Sequence, residues 1–73
     1  MKKEDIKNGK YYLSKNGDIH KVRQLFNIEE YEPAEDKTII GIAKNITKNY
    51  TTRFSESFFI KEVTPEKYPE YFI

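Results

Sequence analysis

A chain with one imidazole, His20, and no thiol offers little from which a reaction could be assembled. Nucleophilic catalysis needs a Ser, Thr, Cys or Lys beside a base, and His20 is the one side chain whose ordinary pKa suits that base. It alternates with Val22 in a segment of strand character, the setting of a packing or surface residue, so no catalytic residue is assigned. Without cysteine there is no disulfide and no thiolate cage, and one histidine cannot supply a His-based tetrahedral metal site. The acids Glu29, Glu30, Glu32, Glu35 and Asp36 crowd a single stretch. Solvated in a loop they keep ordinary pKa values, and they lack the Asp-x-Asp spacing and glycine of a calcium loop. Gly9, Gly17 and Gly41 stand apart, which removes the phosphate-cradling loop of nucleotide-binding proteins. No catalytic group, no metal and no cofactor is expected.

Two sets of residues are suited to binding. Lys44, Lys48, Tyr50 and Arg53 interleave cations with an aromatic ring, and Lys10, Tyr11, Tyr12 and Lys15 do so again. Such surfaces stack bases on tyrosine and follow phosphates with lysine. Lysine-bearing hairpins also serve to block edge pairing, so the first set is a nucleic-acid candidate with a plain structural alternative. The second set is aromatic. Tyr and Phe together make up 11 of the 73 residues, six of them Tyr, whose hydroxyl lets a ring lie half exposed at an interface. Tyr31 beside Pro33, and Tyr68, Tyr71 and Phe72 beside Pro69, fall outside the predicted strands and are candidates for protein contact. The competing reading has the tail fold back and plug an open end of the barrel.

Strand patterns supply the frame for these groups. Met1 to Asn8 is polar apart from Ile6 and reads as a loose lead-in. Tyr11-Tyr12-Leu13 precedes Lys15-Asn16-Gly17-Asp18, in which Asn-Gly offers the positive φ angles of a tight hairpin turn. The next strand runs from Ile19 towards Ile28, with His20, Val22, Gln24, Phe26 and Ile28 as the better core parity and a bulge or bend expected near Gln24. Glu29 to Lys37 holds Pro33 and reads as a loop. Thr38 to Ile46 is β-branched and interrupted by Gly41, the mark of sharp coiling or close backbone approach. Lys48-Asn49 is a second turn, Tyr50 to Phe54 a strand, Ser55 to Phe58 a single helical turn, and Phe59 to Val63 the last strand. Thr64-Pro65-Glu66-Lys67 opens a helix that Pro69 limits to about one turn. The expected core draws on Leu13, Ile19, Val22, Leu25, Phe26, Ile28, Ile39, Ile40, Ile42, Phe54, Phe58, Phe59, Ile60 and Val63.

The stretch from Arg53 to Val63, a strand closing on a short turn that feeds a final strand, resembles the end of SH3-like barrels. That resemblance covers roughly the last third of the barrel and implies a mostly β fold of five strands with a short helical turn before the last. It does not extend to recognition of proline-rich peptides, which needs a Trp that this chain lacks.

Length and charge bound the rest. Seventy-three residues hold one core, so a single domain is expected, with 64 to 73 as its tail. Residues 1 to 27 carry seven Lys/Arg against three acids, residues 29 to 36 carry five acids and no base, and the net charge is +1. No apolar run approaches the ~20 residues of a membrane span, and the lysine-rich start lacks the apolar core of a signal peptide. The expected setting is the bacterial cytoplasm, and the Lys-, Asn- and Ile-rich usage suits a phage or mobile element. The leading functional expectation is a small non-catalytic protein-binding module, an accessory or inhibitor protein; the alternative is a nucleic-acid-binding small barrel.

Overall fold

The structure is a computed structural model that describes residues 1–26 and 39–72. Five strands, β1 (Tyr11–Ser14), β2 (Ile19–Leu25), β3 (Ile39–Asn45), β4 (Tyr50–Ser55) and β5 (Phe59–Val63), form one sheet. All four pairings are antiparallel and the order is β4-β3-β2-β1-β5. Among the described residues there is no α-helix; single 3₁₀ turns at Lys3–Asp5 and Pro69–Tyr71 lie before and after the strands. No helix there is long and apolar enough to cross a membrane.

The mostly β, five-stranded expectation holds, while the ladder itself stays open: β4 and β5 are the two ends of the sheet. Laid flat, five strands at about 4.8 Å spacing would put those ends about 19 Å apart. Phe54 of β4 and Phe59 of β5 nevertheless have ring centroids 4.7 Å apart, so the sheet coils until its end strands share one core. Ile6, Tyr12, Val22, Ile40, Ala43, Phe54 and Phe59 fill the concave side. Full burial of a side chain such as Phe54 or Phe59 contributes about 1.5–3 kcal/mol.

The coiling has local causes. Register shifts fall between Val22 and Gln24, between Ile39 and Gly41, and between Leu13 and Ser14, each leaving an extra residue that bends its strand. At Gly41 a Cβ would collide with the Gln24 carbonyl oxygen and come within 2.8 Å of the Phe54 ring, the close approach expected of a glycine inside a strand. The hairpin between β1 and β2 is looser than Asn-Gly implies. Gly17 alone has a positive φ, 88°, while Asn16 works through its side chain, whose Oδ1 accepts bonds from the Ser14 hydroxyl and, at 3.2 Å, the Asp18 amide. The second turn places Asn49 in the left-handed region at φ 61°, which asparagine tolerates. Between β4 and β5 the Phe58 amide donates to the Ser55 carbonyl at 3.1 Å, the single turn expected there.

Three expectations need correction. The lead-in is not loose: Ile6 is buried in the core, Met1 packs on it, and the Lys7 amide donates to the Tyr12 hydroxyl at 2.7 Å. Gln24 is exposed rather than internal, because the bulge at Arg23 breaks the parity of β2 before it. Ile60 is 54% exposed, because Ser14 pairs with Phe59 and Leu13 with Lys61, leaving Ile60 in the bulge with no partner. The expected continuation of β2 to Ile28 and the acidic loop lie outside the described residues.

Candidate functional site

Strand pairing sets which side chains share the convex face. Val63 of β5 stands opposite Tyr11 of β1, Tyr11 opposite Lys21 of β2, Lys21 opposite Lys44 of β3, and Lys44 opposite Thr51 of β4. The next row runs from Gln24 to Ile42 to Arg53. Residues opposed in an antiparallel pair have Cβ atoms about 4.5–5.5 Å apart, so Lys21 and Lys44 meet directly, and Arg53 lies one diagonal step from Lys44. None of these paired positions carries an acid. Like charges placed opposite each other destabilise a sheet, and no ion pair offsets Lys21 or Lys44 among the described residues. The Lys21 ammonium lies 5.7 Å from the centroid of the Tyr11 ring, the one stabilising contact of its charge seen there.

The nucleic-acid candidates therefore divide. Lys44 and Arg53 share the convex face with Lys21. Lys48 belongs to the turn after β3, where its ammonium is 3.4 Å from the Asp18 carboxylate, an ion pair that holds two hairpins together. Tyr50 opens β4 and is 46% exposed, but it stands opposite Asn45, in the row of His20 and Tyr12, and so belongs to the other side of the sheet. Lys21 escaped the sequence reading because its neighbours across the sheet come from β1 and β3, and register is not visible in one strand's pattern.

The aromatic candidates turn mostly inward. Phe72 meets Tyr11 edge to face with centroids 4.9 Å apart, and the Lys61 ammonium sits 4.5 Å over Tyr68. Tyr68 and Tyr71 stack at 5.9 Å, leaving Tyr71 38% exposed. The tail thus covers the outer side of β1 and β5, where Val63 is fully buried. The Thr64 hydroxyl accepts from the Lys67 amide at 3.3 Å and its carbonyl from the Tyr68 amide at 2.8 Å, so the predicted capping threonine does start a turn. Tyr31 lies outside the described residues.

His20 is buried on the concave side against Phe58 and Phe59. Ser14, Asp18 and His20 come from neighbouring positions, yet they make no triad. The Ser14 hydroxyl bonds Asn16 and the Asp18 carbonyl, the Asp18 carboxylate takes the Asn45 amide at 2.7 Å, and neither imidazole nitrogen bonds to either residue. Asn45 and Lys48 hold the Asp18 carboxyl below the usual carboxylate range. Among the described residues no group of three or more His, Asp or Glu side chains is placed to hold a metal ion.

Compared with protein-family models, curated proteins and solved structures, the chain finds no significant match in any of the three.

Proposed function

We propose that this chain is a small, non-catalytic nucleic-acid-binding module of SH3-like barrel type, its convex face following phosphates through Lys21, Lys44 and Arg53. The observation that carries this reading is the direct opposition of Lys21 and Lys44 with no acid in their rows. A cross-strand pair of like charges lowers stability in the free protein, and an anion laid across it removes the repulsion. The phosphate backbone is the extended anion that rewards three cations on three adjacent strands. The strand order and the turn before β5 support the barrel assignment, with the coiled sheet left open between β4 and β5.

Fluorescence anisotropy with labelled single- and double-stranded oligonucleotides tests the reading. Binding that weakens steeply with salt, and is lost when Lys21 and Lys44 are both replaced by Glu, supports it. No binding at low salt, or binding indifferent to salt, sinks it.

A second reading, protein contact through the tail, rests on the exposure of Tyr71 beside the stacked Tyr68. It is favoured if oligonucleotides fail to bind and Tyr71→Ala abolishes association with a protein partner while leaving the melting temperature unchanged.

A further inference from the structure

The imidazole of His20 is 0% exposed, and among the described residues neither Nδ1 nor Nε2 has a hydrogen-bond partner. Buried polar groups are normally paired, so two orphan nitrogens on one ring are a standing cost that calls for an explanation. The walls around the ring are aromatic. Phe58 meets it edge to face at 5.1 Å and Phe59 lies tilted at 5.6 Å. Across the sheet it stands opposite Tyr12 on β1 and Asn45 on β3.

Among the described residues, the charged and titratable groups around it are either engaged elsewhere or exposed. Asp18, two residues before it on β2, has its carboxylate bonded by Asn45 and Lys48. The Tyr12 hydroxyl accepts from the Lys7 amide and donates to the Asp5 carbonyl. Glu62, opposite Tyr12 on β5, is exposed, as is Glu56 in the turn before it, whose carboxylate takes the Lys3 amide. Lys21 and Lys44 belong to the opposite face. Burial therefore dominates and holds the imidazole below its ordinary pKa, with the nearby Asp18 backbone, which is not in hydrogen-bond geometry with the ring, and then the Asp18 carboxylate pulling the other way.

The two phenyl walls differ in how firmly they are fixed. Phe59 is fully buried in the ladder, stacked on Tyr12 at 5.1 Å and touching Phe54. Phe58 is half-buried in a turn, held by the hydrogen bond its amide donates to the Ser55 carbonyl and by the Lys15 amide, which donates to the Phe58 carbonyl at 3.0 Å. A charged imidazolium seeking water leaves by the Phe58 side.

We propose that His20 is an acid-operated latch: its protonation drives the ring past Phe58 into water and frees the turn before β5 from the hairpin between β1 and β2. The latch does not depend on what the convex face binds. The closed form needs the neutral ring, so it is favoured above the free histidine pKa of about 6.5. Below that it loses about a factor of ten against the open form per pH unit, until the closed-state value is passed.

Because the chain has a single histidine, its ring C–H resonance can be followed by NMR in the unaltered protein. Hydrogen exchange at the Lys15 amide, corrected for intrinsic rate, reports the latch, and exchange at the Val22 amide, bonded to the Lys10 carbonyl, reports the sheet. The expected result is a ring midpoint below 6.5 and a loss of Lys15 protection over the same interval, with Val22 protection retained. A midpoint at or above 6.5 overturns the latch, as does Lys15 protection that ignores pH, or equal loss at both amides. In His20→Leu, where it folds, the Lys15 response must vanish; its persistence assigns the effect to another group and also overturns the proposal.

Discussion

Lys21 on β2 stands directly opposite Lys44 on β3, with Arg53 on the neighbouring strand and no acid in either paired row. A position kept at a cost to the free protein is where stability and function should trade against each other. Lys44→Glu is expected to turn the repelling pair into an attracting one. Thermal unfolding should then show a gain of about 0.2–1 kcal/mol while oligonucleotide affinity falls. Loss of both stability and binding would mean that Lys44 is a packing residue.

Salt dependence counts the cations in contact. Three phosphates neutralised by Lys21, Lys44 and Arg53 predict a slope of log affinity against log salt of about −2 for a single strand and about −2.7 for a duplex. Arg53→Gln should flatten the slope by about 0.7–0.9. A slope near zero in the wild type removes the phosphate face altogether.

Much of the frame was legible in the sequence because it is written locally. Gly17, Asn49 and the Ser55 to Phe58 turn each carry a short-range steric or hydrogen-bonding reason for their place, and the strands between them follow. What was hidden is what register decides. The broken parity of β2 marks a bulge near Gln24 but not that it turns Gln24 to solvent, and nothing in the pattern around Ile60 marks the bulge that strands it outside the core. The same blindness concealed Lys21 and overrated Lys48, whose partner Asp18 is 30 positions away. Ile6 was read as a stray aliphatic because what buries it is the concave side of a sheet formed later in the chain.

Gly41→Ala should be among the most damaging single-carbon changes available. The added Cβ meets the Gln24 backbone as well as the Phe54 ring, and backbone cannot step aside as a flexible side chain can. Overpacking of this kind costs about 1–3 kcal/mol, read as a lowered denaturation midpoint in urea with the slope unchanged. A neutral result would show that β2 and β3 separate at the bulge with little cost.

Phe72→Ala tests whether the tail belongs to the fold. The ring contributes an edge-to-face pair with Tyr11, which stands opposite the buried Val63. Aromatic pairs of this geometry are worth about 0.5–1.5 kcal/mol beyond their burial, so a measurable loss of stability is expected. Unchanged stability would return Phe72 to the list of residues available to a partner.

Asp18 sets a second pH window, separate from that of His20. Its carboxylate receives the Asn45 amide at 2.7 Å and the Lys48 ammonium at 3.4 Å, and these hold its pKa below the ordinary value. A depressed carboxyl pKa stabilises the fold above the unfolded value of about 3.9, and that contribution is lost as pH falls through the folded one. Asp18→Asn keeps the shape of the side chain but removes the charge, so the variant should be less stable than wild type at neutral pH. Acid should then cost it less. Melting temperatures followed from about pH 5 to about pH 2 are expected to converge as the wild-type carboxylate takes up its proton. Parallel curves across that interval would show that the bonds from Asn45 and Lys48 are no stronger in the folded chain than water would be.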